Sequence, residues 1–175
     1  MADIPTDNPY SFRSFKTCAS LSEETVAFSA ILCRDGKKLA QAKNAGHGGS
    51  NDLFWLDREA QAAFLAYVKT VPPVPFEVDG KTEMLDMDPD FFISCMVQVE
   101  EEKAVREKNR KRFAKLCSTQ VLFRKRGDKS GTWGILKTTD MAAAKAWLAK
   151  NVGMDKLEAI LNELLPSDPD AWERF

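Results

Sequence analysis

The triplet Asp88-Pro89-Asp90 and the run behind it constrain the fold more than any other feature. An aspartate just before a helix accepts hydrogen bonds from free N–H groups. Proline suits the first helical position, and a second aspartate complements the positive helix end. The run predicts one long helix over residues 89–116. Its apolar stripe is Phe92, Met96, Val99, then a polar gap, then Val105, Phe113 and Leu116.

Before that helix the grammar is mostly of strands. Residues 11–18 and 25–33 carry strand-type patterns, and Asp35-Gly36 signals a hairpin into 38–43. Leu53-Phe54-Trp55-Leu56 reads as a short apolar strand or a helix lead-in. Asp57 then caps a helix whose Ala60, Phe64, Tyr67, Val68 and Val71 recur at helical spacing, until Pro72-Pro73-Val74-Pro75 stops it. Residues 76–88 read as a connecting segment with a second turn at Asp79-Gly80.

After the long helix come a strand at 119–124, a turn at 127–131 and a return strand at 132–137. Helices are predicted over 140–151 and 155–165, with Gly153 between them. Strands that arrive as hairpins imply antiparallel pairing. The expected fold class is therefore α+β, with hairpins and sheet packed on a long central helix and C-terminal helices. A length of 175 residues suits one domain. Its parts are an arm at 1–10, a β-rich part at 11–56, a helical part at 57–117, and a hairpin with helices at 118–175. Trp55, Phe64, Tyr67 and Trp147 read as core.

No apolar run approaches the ~20 residues that cross a bilayer, and MADIPTDNPYSF lacks the basic start and apolar core of a secretory signal. Cys18, Cys33, Cys95 and Cys117 form no C-x-x-C pair, so reduced, mostly buried thiols and a cytoplasmic location are expected.

Chemistry concentrates in two stretches. In KNAGHGGSND, residues 43–52, three glycines surround the only histidine. Phosphate loops use glycine so that N–H groups converge on an anion, but neither G-x-x-x-x-G-K-[ST] nor G-x-G-x-x-G is present. The loop is thus a turn with positive φ angles or an irregular binding surface built from Asn44, Gly46, His47, Gly48, Gly49 and Ser50. His47 is the one candidate for acid–base catalysis, with Ser50, Asn51 and Asp52 near enough in sequence to orient it.

The second stretch is a basic belt over residues 103–129, with eleven cations against Glu107 and Asp128, a local net of +9 in a chain of net −1. Such asymmetry marks a polyanion site or an acidic protein partner, or else a solvated surface. Strand alternation would put Arg124 and Arg126 on one face. With Lys129 and Trp133 they offer a basic ribbon that contacts phosphates and stacks a base.

Asp86, Asp88 and Asp90 alternate as in a calcium loop, yet Phe91 and Val97 occupy the positions that need glycine and glutamate, so no metal and no cofactor are expected.

The run SEETVAFSAILCRDGKKLAQAKNAGHGGSND resembles a pattern in small phage and prophage proteins, where a hairpin ending in DGKK leads to an N-x-G-x-G-G loop. TQVLFRKRGDKSGTW and the following helices near LEAILNEL are similar to the C-terminal part of the same group. The resemblance transfers no activity. It implies an accessory phage protein in the host cytoplasm. Such a protein acts as a non-catalytic binder or inhibitor of a host defence or replication component, through a protein partner or through nucleic acid or a nucleotide on residues 103–129. The alternative is an enzyme acting on a phosphodiester or nucleotide through His47.

Overall fold

The computed structural model describes residues 5, 7–78 and 80–175, with backbone only at 76 and 78. Residues 1–4 and 6 of the expected arm, and Asp79 of the expected turn, lie outside the described residues. The fold is α+β, with three antiparallel sheets and a long central helix. The chain divides into two compact units, residues 1–102 and 103–175. Each is described by itself.

In the first unit, β1 (Tyr10–Thr17), β2 (Phe28–Arg34), β3 (Lys37–Asn44) and β4 (Asp52–Trp55) form a meander in the order β1-β2-β3-β4. The β2–β3 turn is Asp35-Gly36 with φ of 48° and 79°. Positive φ at both central residues is what a two-residue hairpin matching the sheet twist requires. A bulge in β1 between Arg13 and Lys16 is accompanied by a positive φ at Ser14.

Helix α1 (Arg58–Val68) starts where expected, the Asp57 carboxylate accepting the Ala60 N–H at 2.6 Å. One sheet face buries Tyr10, Phe28, Ala30, Leu32, Ala40 and Ala42 against Phe64 and Val68 of α1 and Phe92, Ile93, Met96 and Val97 of α2 (Pro89–Cys117). Alanines on the strands leave room for the aromatic cluster of Tyr10, Phe64, Tyr67 and Phe92. Residues 76–88 are more than a connector: β5 (Val74–Val78) and β6 (Lys81–Leu85) pair as a hairpin. Pro75 is tolerated there because each strand has one free edge.

In the second unit, β7 (Val121–Lys125) lies between β8 (Gly134–Leu136) and β9 (Leu157–Ile160). Its alternation feeds two cores. Val121 and Phe123 pack with Ala144 and Leu148 of α3 (Met141–Asn151). Leu122 packs with Leu161, Ala171, Phe113, Trp133 and Trp172. α3 is capped by Asp140, whose carboxylate accepts the N–H groups of Ala142 and Ala143.

The helix expected over 155–165 is corrected. It is β9 followed by α4 (Leu161–Leu164) and, after a turn, by a short 3-10 turn at Ala171–Arg174. Leu157 to Ile160 hydrogen-bond along β7 instead, because a central strand needs partners on both edges. Asn162 then staples the unit, its side chain bonding Leu122 N–H and the carbonyls of Cys117 and Gln120.

Trp147 is 46% exposed and Val105 58% exposed, so neither is core. Among the described residues no helix is long and apolar enough to cross a membrane.

Candidate binding surfaces

The glycine loop joins β3 to β4, and its shape is set by one buried side chain. Asn44 is 9% exposed. Its amide oxygen accepts the Thr25 hydroxyl at 2.9 Å and the Gly46 N–H at 2.8 Å, and its NH₂ donates to the Gly49 carbonyl and to Asn51. Gly46 (φ 92°) turns its carbonyl back to accept three successive N–H groups, from Glu23, Glu24 and Thr25. A Cβ at Gly46 would sit 2.0 Å from the Leu21 carbonyl oxygen, so only glycine fits. Gly48 donates its N–H to Thr25 Oγ1. Asn44, Gly46 and Gly48 thus hold the loop together.

The loop is tied to α2 through Asn51. Its backbone N–H and side-chain NH₂ both donate to the Asp90 carboxylate, at 2.5 and 2.8 Å, and the NH₂ also reaches Ser94 Oγ. Asp90 therefore anchors the loop as well as complementing the helix end, while Asp88 caps the helix at the Phe91 N–H.

Between loop and helix lies a cleft of about 370 Å³, lined by Thr25, Asn44, Asn51, Asp90, Ser94 and Glu101 among others. Its charged side chains are carboxylates. Glu24 lies against Gly48, and Glu23 meets His47 Nδ1 at 3.1 Å. Carboxylates around the loop disfavour a phosphate there and favour hydrogen-bond donors or a cation. His47 is exposed, and so are Gly49 and Ser50. No hydroxyl or thiol nucleophile bonds to the His47 ring among the described residues.

The basic belt lies in the second unit and sorts into paired and unpaired cations. Arg106 bonds Glu173 at 2.7 Å. Arg110 forks onto Asp170 at 3.1 and 2.6 Å, a pair that holds the Asp170 carboxyl below its ordinary value. Lys111 reaches Glu107.

Arg124 is 7% exposed, beside Leu122 on the face covered by the C-terminal segment. Its guanidinium bonds Glu158 at 2.8 Å and the carbonyls of Asp128, Lys129 and Thr132, with the Phe175 ring alongside. This corrects the basic ribbon. Arg124 fastens the β7–β8 turn and does not face solvent, because β7 is covered on both faces. The strand ends at Lys125, so alternation does not extend to Arg126. Arg126 and Lys129 are exposed. Trp133 is half-buried in edge-to-face contact with Phe113 and Phe175, so it is a core aromatic.

Three exposed cations of α2 form a stripe. Lys108, Arg112 and Lys115 are exposed at i, i+4 and i+7, the spacing that places side chains on one helix face, and none has an acidic partner among the described residues. Arg106, Arg110 and Phe113 take the face that meets the C-terminal segment.

The unit boundary falls where the charge changes sign. Residues 1–102 carry nine cations and seventeen acids, a net of −8; residues 103–175 carry sixteen and nine, a net of +7. Sequence reasoning found the belt but not its sorting. It missed Asn51, Asp90 and Asn162 as anchors, because polar residues reveal such roles only when their distant partners are known.

The chain matches no known family model, no curated protein and no solved structure.

Proposed function

We propose that this chain is a non-catalytic binding protein that occupies an anionic surface on a host-cell component, in the way its resemblance to small phage proteins implies. The observation that carries the reading is the α2 stripe, where Lys108, Arg112 and Lys115 share one face without acidic partners among the described residues. Natural helices balance exposed cations cheaply with acids three or four residues away. α2 does so at Glu107–Lys111 and leaves this face unbalanced. Arg126 and Lys129 extend the positive surface of the same unit. The alternative of an enzyme acting on a phosphodiester or nucleotide through His47 has less support, since among the described residues its ring meets only Glu23.

The test is capture from host-cell lysate at increasing salt, with bound protein and nucleic acid both analysed. Wild type is compared with a Lys108→Glu/Arg112→Glu/Lys115→Glu variant, whose fold is checked by circular dichroism. The proposal expects retention that falls steeply with salt and is lost in the variant. A partner held equally by both proteins would overturn it. His47→Ala is expected to bind as wild type.

A further inference from the structure

The four-stranded sheet of the first unit has two faces, and only one contributes to the aromatic core described above. We propose that the other face binds single-stranded nucleic acid. Strand register builds it as two cross-strand rows. One is Arg13–Ile31–Gln41–Phe54 and the other Lys16–Ser29–Lys43–Asp52. Strands about 4.8 Å apart make each row ~14 Å long. Apart from half-buried Ile31, these residues are exposed.

Charge complementarity selects the occupant. The first unit has a net charge of −8, yet these rows hold Arg13, Lys16 and Lys43 against Asp52, which pairs with Lys43 at 3.9 Å and leaves a net of +2. Of the six cations on β1 to β4, these rows carry Arg13, Lys16 and Lys43, whereas Arg34 lies over the Tyr10 ring of the core face. An aromatic sits beside Lys43. Phe54 is 52% exposed, and Lys43 Nζ rests 4.8 Å from its ring centroid. An exposed ring beside a lysine on an antiparallel sheet, with further cations on the outer strand, is an arrangement on which unpaired bases stack while basic side chains take the phosphates. In the complex a base replaces the Lys43 ammonium over the ring, and the ammonium moves to the adjacent phosphate. A duplex keeps its bases stacked and offers no free base to Phe54. An acidic protein surface offers charge but no base.

This inference is independent of the α2 stripe, because every residue it uses lies in the first unit. The test is fluorescence anisotropy with a labelled oligothymidylate of about twelve nucleotides, with the matching duplex and poly-glutamate as competitors. Phe54→Ala is expected to weaken binding about 5- to 150-fold, the loss of one stacked base, while Phe54→Trp preserves it. Lys16→Gln/Lys43→Gln is expected to flatten the salt dependence by about 1.4 in slope, two phosphate contacts on a single strand. The Lys108/Arg112/Lys115 charge reversal is expected to leave this binding in place. Absence of binding would overturn the proposal. So would equal competition by duplex or poly-glutamate, or an unchanged affinity in Phe54→Ala.

Discussion

Replacing Gly46 by alanine tests the account of the glycine loop. At φ 92° an L-residue is strained, at a cost of about 1–2 kcal/mol. The new Cβ would also lie 2.0 Å from the Leu21 carbonyl oxygen and 2.9 Å from Ala27 Cβ. Backbone cannot rotate aside as a side chain does, so the loop must separate from residues 21–25. That movement strains the bonds from the N–H groups of Glu23, Glu24 and Thr25 to the Gly46 carbonyl, at 2.9, 3.0 and 3.3 Å. Losing two of the three at about 1 kcal/mol each brings the total to about 3–4 kcal/mol. Gly49 supplies the matched control. Its φ is 90°, but nothing lies within 4 Å of an added Cβ. Gly49→Ala should therefore show the conformational cost alone, about 1–2 kcal/mol. The assay is urea denaturation of both variants, with amide hydrogen exchange at residues 23–25 as the local reporter. If Gly46→Ala is no more destabilising than Gly49→Ala, the carbonyl contact is not what requires glycine.

Two further outcomes follow from buried chemistry. Arg124→Met keeps the side-chain stem but leaves Glu158 and three carbonyls without their donor, so a loss of about 2–4 kcal/mol is expected in denaturant unfolding. A change below about 0.5 kcal/mol would show that Arg124 is a replaceable surface cation after all. Among the thiols, Cys18 is exposed while Cys33 and Cys95 are buried, and burial pushes Cys117 up to about 11. A thiol reagent at about pH 8 should therefore modify Cys18 rapidly, half-buried Cys117 slowly because little of it is thiolate, and Cys33 and Cys95 only after unfolding; modification of Cys117 as fast as Cys18 in the native protein would contradict its raised pKa.

The α+β class, the Asp35-Gly36 hairpin, the caps at Asp57 and Asp88, and the extent of α2 were legible because each depends on neighbours within a few residues. Helix 155–165 was misread for the complementary reason. Its local pattern is compatible with a helix, but the open edge of β7, more than thirty residues earlier in the chain, claims Leu157–Ile160 as a strand. The candidate residues divide in the same way. Gly46 and Gly48 were identifiable as positive-φ positions, whereas Asn44 as the buried organiser of the loop was not, since its partner Thr25 comes from another segment.

By itself the sequence determined where α1, α2 and α3 begin, where the β2–β3 hairpin turns, and that positive charge gathers after residue 102. Tertiary structure alone decided which of those charges reach solvent. Arg124 and Lys108 are equally basic in the sequence. One is enclosed on a strand covered from both sides, and the other stands on a helix face that nothing acidic covers among the described residues. A charge's availability depends on what packs against it, and that is a property of segments distant along the chain.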